Sequence, residues 1–89
     1  MTPPRLVTVE VPGVMPPTTY TLLSKALADL WVAVRFQPMS RPEWRRLECC
    51  LAGPGAERFV AERLDESGLL ELTAGPLQLR LRRVDPVRR

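Results

Sequence analysis

The order in which strand-like and helix-like segments alternate is the feature that most constrains the fold of this chain. Three segments alternate apolar and polar side chains with the period of two that is typical of strands: residues 5–11, 31–37 and 44–52. Two segments repeat apolar side chains at helical spacing: residues 18–30 and 54–67. With a final strand after the second helix, this order predicts an α+β fold, the ferredoxin-like βαββαβ sandwich, in which two helices cover one face of an antiparallel sheet.

The C-terminal part of the chain offers two candidates for that final strand. Residues 69–73 and 77–84 flank the turn Ala74-Gly75-Pro76. Paired as a hairpin they would give the sheet five strands, whereas either one alone would form the edge of a four-stranded sheet. Residues 85–89, which end in two arginines, are predicted to be a loose basic tail.

Size and composition predict one globular domain that covers residues 1–89. The hydrophobic fraction of 45% and the charged fraction of 26% are ordinary for such a domain and argue against disorder. No apolar run approaches the roughly 20 residues that a membrane span needs. Because the N-terminal residues are not followed by an apolar signal core, we expect a cytoplasmic protein.

The sequence lacks the residue types and motifs that most often carry acid–base or metal chemistry. Histidine and asparagine are absent from the sequence, and it has no glycine-rich phosphate-binding loop. Cys49 and Cys50 are neighbours, so a strand would point them to opposite faces, where they could not readily bridge or share a metal. Cys49 is therefore predicted to be a core residue, and a reactive, partly exposed Cys50 is the alternative. We expect a protein that is not an enzyme and uses neither a metal nor a cofactor.

The predicted sheet has one open face, which carries more basic than acidic side chains. With the apolar side chains turned toward the helices, this face holds Thr8, Glu10, Ala33, Arg35, Gln37, Arg46, Glu48, Cys50, Gln78, Arg80 and Arg82. One interpretation is a solvated face whose arginines pair with glutamates across strands. The other is a site for a nucleic acid or another polyanion, built from Arg35, Arg46, Arg80 and Arg82. Nucleic acid is the less favoured partner, because the third predicted strand has an acidic residue and no aromatic ring at its centre.

Residues 6–74 contain a series of segments with a familiar pattern. The strand Leu6–Val11 runs into Pro12-Gly13 and is followed by "TLLSKALAD", "VAVRFQPMSRPEWRRLECCLAG", "AERFVAERLDESG" and "LLELTA". This series resembles an ACT domain, the ferredoxin-like regulatory module of amino-acid metabolism, and in size the chain is similar to the short regulatory subunits of acetolactate synthase. It departs from the usual pattern at Val14-Met15-Pro16-Pro17, which lengthen the loop before the first helix.

The resemblance implies a non-catalytic regulatory or assembly module that acts as a homodimer or on a larger biosynthetic enzyme. A small amino-acid effector would bind between the first turn and a partner, because backbone N–H groups at a helix start suit its carboxylate. The candidate contacts are Gly13, Val14, Met15, Thr18 and Thr19. The alternative is that these residues serve only the loop and the cap of the first helix, with Thr18 or Thr19 as the capping residue.

Two tryptophans stand beside predicted strand boundaries, Trp31 before the second strand and Trp44 at the start of the third. One interpretation is that both pack at the edge of the core. The other is that they anchor an interface, because tryptophan is enriched in the residues that contribute most to protein binding. The sequence therefore adds Trp31 and Trp44 as candidate interface residues.

Overall fold

The protein folds as two β-hairpins, one at each end of the chain, with three helices between them. The structure is a computed structural model that describes residues 6–84. Its elements are, in chain order, β1 (Leu6–Val11), β2 (Met15–Tyr20), α1 (Leu23–Val34), α2 (Arg41–Leu51), α3 (Ala56–Ser67), β3 (Leu69–Ala74) and β4 (Leu77–Val84). The strands form one antiparallel sheet in the order β2-β1-β4-β3, so the first and last strands pair at its centre.

This architecture belongs to the α+β class that the sequence predicts. An antiparallel sheet of four strands with helices on one face is compatible with a ferredoxin-like class, but the strand order and the three helices differ from a strict βαββαβ arrangement. The predicted terminal hairpin is present as β3 and β4, and α3 matches the second predicted helix. The predicted tail, residues 85–89, lies outside the described residues.

Alternation along the strands turns one face of the sheet toward the helices. Val9 on β1 and Leu81 on β4 lie opposite each other and have no exposed surface. Each helix adds an almost fully buried residue to the same core: Leu30, Leu47 and Val60. Burial of these apolar side chains is the main term that holds the helices on the sheet.

Residues 31–37, predicted to be the second strand, are the end of α1 and the start of the next connection. The prediction was wrong because the alternation of Val32, Val34 and Phe36 is short. The helical spacing of buried apolar residues that precedes it continues to Val34. Val34 lies four residues after Leu30 and is buried on the same stripe of α1. Val32 and Phe36 lie off that stripe and are exposed.

Residues 44–52, predicted to be the third strand, lie in α2 except for the last. The start of this helix is fixed by a capping box. The hydroxyl of Ser40 accepts a hydrogen bond from the backbone N–H of Glu43, and the Glu43 carboxylate accepts one from the backbone N–H of Ser40. The strand prediction was therefore wrong, because it gave more weight to alternation than to this N-terminal signal.

The two cysteines also lie differently from the prediction. Leu47 and Leu51, one helical turn apart, are buried, whereas Cys49 lies between them on the exposed side of α2. The predicted core position of Cys49 is therefore wrong. Cys50 is partly exposed, and burial raises the pKa of its thiol, with a smaller contribution from Cys49. A raised pKa leaves less thiolate at neutral pH, so this environment does not activate Cys50.

The segment Met15–Tyr20, predicted to be a loop through Pro17 and the start of the first helix from Thr18, forms the edge strand β2. Pro16-Pro17 lack backbone donors, which disfavours a central strand. An edge strand tolerates prolines because it has a neighbouring strand on one side only, so a missing N–H on the other side breaks no hydrogen bond of the sheet. The register of the β1–β2 pairing also shifts between Val9 and Val11, which is an irregularity of the β-bulge type.

Thr18 and Thr19 do not cap a helix, because both lie in β2. The Thr18 hydroxyl donates to the carbonyl of Pro16 at 2.9 Å. The Thr19 hydroxyl shares a 2.8 Å hydrogen bond with the hydroxyl of Thr8, its partner across the β1–β2 pair. Helix α1 begins after Leu22 and has no side-chain cap. The capping role predicted for the threonines is therefore wrong.

Glu43 gives the α2 cap a pH dependence that can be measured. Hydrogen bonds from the Ser40 backbone and hydroxyl, with a smaller one from the Gly75 backbone, hold the pKa of Glu43 below its ordinary value of 4.5. A carboxyl whose pKa is lower in the folded state stabilises the protein above its unfolded pKa, and this contribution is lost as the pH falls through the folded pKa. We therefore expect Glu43→Gln to lower the melting temperature at pH 7.

The comparison of wild type and Glu43→Gln by thermal unfolding between pH 7 and pH 3 checks this expectation. The difference in melting temperature should be constant near neutral pH and should shrink as the pH falls below the ordinary value of 4.5. A difference that stays the same down to pH 3 would show that the charge of Glu43 plays no part in the cap.

Candidate functional site

The two tryptophans meet where α1 ends and α2 begins. Trp31 lies in the last turn of α1 and Trp44 in the first turn of α2. Their ring centroids are 5.0 Å apart and the ring planes are inclined at 61°, an edge-to-face arrangement. The indole N–H of Trp44 donates to the backbone carbonyl of Arg35 at 3.0 Å, which fixes the connection between the helices. Both tryptophans are half-buried, so part of each residue remains accessible to solvent.

An exposed aromatic ring lies directly beside this pair in the chain. The side chain of Phe36 is 77% exposed, and Val32, one helical turn before it, is 55% exposed. The guanidinium of Arg35 lies over the Phe36 ring, 4.7 Å from its centroid. We call Trp31, Val32, Arg35, Phe36 and Trp44 the aromatic corner.

The charged residues near the aromatic corner are mostly arginines. Arg41 and Arg45 lie one turn apart on the exposed side of α2, on either side of Trp44 in sequence, and Arg35 lies within the corner. Across residues 6–84, none of these three arginines forms an ion pair with a carboxylate. Glu48, one turn after Trp44, is the acidic residue on the same side of α2.

On the open face of the sheet the charges pair with one another. Arg80 on β4 lies between Glu10 on β1 and Glu71 on β3 and contacts both carboxylates, at 3.6 Å and 3.1 Å. This is the cross-strand pairing that one interpretation of the sequence predicts. An arginine already held by two carboxylates is less available to a polyanion.

The four arginines predicted to bind a polyanion do not share one surface. Arg80 and Arg82 lie on the open face of the sheet. Arg35 caps the C-terminus of α1, and Arg46 on α2 donates to the backbone carbonyl of Thr73 at the end of β3. The residues placed on the sheet face by the wrong strand assignments belong to the helical layer instead: Ala33, Arg35, Gln37, Arg46, Glu48 and Cys50.

Three of the predicted effector contacts line a shallow hollow at the β1–β2 turn. Gly13, Val14 and Met15 border a space of about 410 Å³ together with Glu10 and neighbouring prolines. Gly13 has φ +82° in the third position of the turn that Val14 N–H closes onto Val11 at 2.8 Å, a conformation that favours glycine.

The other two predicted contacts and the helix start lie away from this hollow. Thr18 and Thr19 are further along β2, and α1 begins only beyond its far end. Six extended residues cover roughly 20 Å, at about 3.3 Å each. The hollow and the N-terminus of α1 are thus separated by the length of β2, so the helix start cannot supply N–H groups to a ligand at Gly13.

A larger cleft lies at the opposite end of the sheet. It has a volume of about 450 Å³ and lies between the start of β1, the start of α1 and one side of α3. Its lining is mainly apolar, with Leu22 64% exposed at its mouth. Asp65 on α3 and Arg83 on β4 form an ion pair of 3.7 Å in its wall. None of the residues predicted to form a site lines this cleft.

Both edges of the sheet are protected against pairing with another strand. On β3, the carbonyl of Leu69 accepts from the hydroxyl of Ser67, and the carbonyl of Thr73 accepts from the side chain of Arg46. On β2, two successive prolines remove backbone donors. Each edge therefore offers fewer free backbone groups to an incoming strand than a regular edge strand does.

The comparisons with known proteins do not add a relative to this description. No protein-family model, curated protein or solved structure matches the chain. Residues 6–84 contain no helix with the length and hydropathy of a membrane span. In that part of the chain, no three or more Cys, Asp or Glu side chains group as metal ligands would.

Sequence reasoning selected Trp31 and Trp44 separately, and the structure brings them into contact. It missed Val32 and Phe36 as surface residues, because it placed both on the buried face of a strand. A signal for them was present: they are four residues apart and lie off the apolar stripe that ends at Val34. Extending the predicted first helix to Val34 would have placed the side chains of Val32 and Phe36 on its solvent-exposed side.

Proposed function

We propose that this protein is a non-catalytic assembly or regulatory module that docks on another protein molecule, either a second copy or a larger subunit, through the aromatic corner. The observation that carries the proposal is the exposure of Phe36, a residue that is 77% exposed and follows Trp31 by five positions, beside the Trp31–Trp44 pair. Burying an aromatic side chain of this kind at an interface is favourable, and tryptophan and arginine are enriched among the residues that contribute most to binding.

The way the corner is built also supports a docking role. The Trp31–Trp44 contact and the hydrogen bond from Trp44 to the Arg35 carbonyl hold the rings in place before any partner arrives. A preformed surface loses less conformational freedom on binding than a flexible one. Because both sheet edges are protected, addition of a strand from a partner is disfavoured, and the helical corner is the better-suited surface.

Photo-crosslinking tests this proposal, because it captures a bound partner whatever its identity. We expect p-benzoylphenylalanine at position 36, in the cells that produce the protein, to form a discrete covalent adduct on irradiation. The matched control is the same substitution at Arg58 on α3, whose side chain is 85% exposed but lies away from the corner. The mass of the adduct separates a second copy from a different subunit.

Two further results decide the outcome of that experiment. Adding Trp44→Ala to the position-36 variant should greatly reduce the adduct, because it removes one wall of the corner. Equal adducts from positions 36 and 58, or none from position 36 while the protein is folded and present, would contradict docking through this surface.

Amino-acid binding, the regulatory mechanism that the ACT resemblance implies, stays a prediction. The feature that favours it is the hollow beside Gly13, Val14 and Met15. A ligand that binds the folded state raises the melting temperature with its concentration. A thermal-shift screen against the twenty amino acids tests this idea, and no shift with any of them would remove the effector while leaving the docking role open.

A further inference from the structure

We infer that the partner which covers the aromatic corner presents an acidic, apolar surface, so that the complex is made with a different protein and not with a second copy across a two-fold axis. This inference rests on the proposed docking function and names the chemistry of its partner. Three observations support it: the charge around the corner, its consequence for self-association, and the state of the aromatic rings.

The charge around the corner is positive and is not neutralised within the molecule. Arg35, Arg41 and Arg45 are all exposed, and Glu48 is the one acidic side chain beside Trp44 that is not engaged elsewhere in the described residues. The carboxylates nearest to the two tryptophans in sequence, Asp29 and Glu43, already have partners. Asp29 accepts from the Tyr20 hydroxyl at 2.8 Å and pairs with Lys25 at 3.2 Å, and Glu43 is held by the α2 cap.

A second copy of this chain does not fit that charge. In a two-fold dimer the same surface lies on both sides of the interface, so the side that carries Arg35, Arg41 and Arg45 would meet a second surface with the same excess of positive charge. Like charges brought together across an interface disfavour binding, whereas an opposite charge on the partner speeds association and selects the correct surface. A partner with carboxylates around an apolar centre complements both the arginines and the exposed Phe36.

The rings themselves do not favour a single-stranded nucleic acid. Base stacking requires an aromatic ring with an accessible face. Trp31 and Trp44 pack against each other and are half-buried, and the guanidinium of Arg35 already covers one face of Phe36. The exposed aliphatic side chain of Val32 offers a base nothing to stack on, but it suits an apolar side chain from a protein.

Selection from a phage-displayed library of random 16-residue peptides tests the inference. The purified full chain is the target, and counter-selection against Phe36→Ser removes peptides that bind elsewhere. We expect the enriched peptides to carry net negative charge together with Trp, Phe or Leu. Binding of the enriched peptides that lack tryptophan can be followed by intrinsic fluorescence, because the only two tryptophans of the chain both belong to the corner.

Charge-reversed variants then measure the role of the arginines. The double variant Arg41→Glu/Arg45→Glu should weaken binding of the enriched peptides by about tenfold or more. The matched control Arg58→Glu/Arg82→Glu makes the same change in net charge on α3 and on the open sheet face, and it should change Kd by less than about twofold. Circular dichroism confirms that each variant remains folded.

Each other outcome overturns the inference in a distinct way. Neutral or basic enriched peptides, an absence of enriched peptides, or acidic peptides that are indifferent to Arg41→Glu/Arg45→Glu would each contradict an acidic partner. Dimerisation in sedimentation velocity that Phe36→Ser abolishes would assign the corner to a second copy. Binding of a (dT)20 oligonucleotide that is lost in Arg41→Glu/Arg45→Glu would assign it to nucleic acid. If the peptide results contradict an acidic partner but position 36 still forms a photo-crosslinked adduct, the docking function stands and only the inference about the partner's charge is wrong.

Discussion

Replacing Leu47 by alanine is expected to lower the free energy of unfolding by about 2–5 kcal/mol, the usual cost of a cavity at a buried leucine. Leu47 is 1% exposed and belongs to the core, and its helix α2 contacts α1, α3 and β3. Cys49→Lys, only two residues away, is expected to change the same free energy by less than about 1 kcal/mol, because Cys49 is exposed. Urea unfolding followed by circular dichroism gives both values.

This pair of variants tests whether residues 44–51 form a helix, as in the structure, or the strand that the sequence predicts. In a strand, Leu47 and Cys49 would point to the same face, so a lysine at position 49 would be buried and strongly destabilising. In α2 they point to different sides. A large loss of stability in Cys49→Lys, comparable with that of Leu47→Ala, would contradict the helix.

A proline placed late in α2 is the second change with a large expected effect. Glu48→Pro should destabilise the protein by about 3 kcal/mol or more, because it removes the backbone donor of residue 48 and its ring clashes with the carbonyl of Trp44. Arg41→Pro is the matched control. Position 41 is the first residue of the helix, where the missing N–H has no partner in the helix, so this variant should lose far less.

Thermal and urea unfolding of the two proline variants measure the difference. Because Glu48 is exposed, loss of its side chain should itself change the free energy of unfolding little, and the measured difference reports on the backbone. Equal losses in Glu48→Pro and Arg41→Pro would mean that α2 does not begin at Arg41. A Glu48→Pro variant as stable as the wild type would mean that residues 44–48 are not helical at all.

Strand β1 and the elements from α3 to β4 could be predicted from the sequence because their local signals agree. β1 alternates valines with polar residues and ends at Pro12-Gly13. The β3–β4 hairpin has strong alternation on both sides of Gly75-Pro76, and α3 starts and ends at glycines. Where period, turn residues and helix boundaries all point to the same element, one sequence is enough.

The middle of the chain could not be predicted because its signals conflict. Residues 31–37 and 44–52 contain short alternating runs of apolar side chains, and such runs are too brief to distinguish a strand from a helix. The deciding information was the capping box at Ser40, together with Pro42 at the start of α2. The strand β2 was missed for the opposite reason, because Pro16-Pro17 argue against a strand unless it is known to lie at an edge.

The candidate site was also predictable only in part, because individual residues could be selected but their arrangement could not. Trp31 and Trp44 were recognisable as unusual residues, but their contact depends on α1 and α2 forming a helical pair, which the strand assignments excluded. The predicted polyanion set failed for this reason as well. Arg35 and Arg46 belong to the helical layer, so they cannot share a face with Arg80 and Arg82 on the sheet.

Nuclear Overhauser spectroscopy of the tryptophan rings tests most directly whether residues 41–51 coil back against α1 to create the docking surface. We predict cross-peaks between the indole protons of Trp31 and Trp44, together with helical carbon chemical shifts over residues 41–51. Extended-type shifts in that segment with no contact between the two rings would contradict the fold of the central region and, with it, the surface proposed to bind a partner.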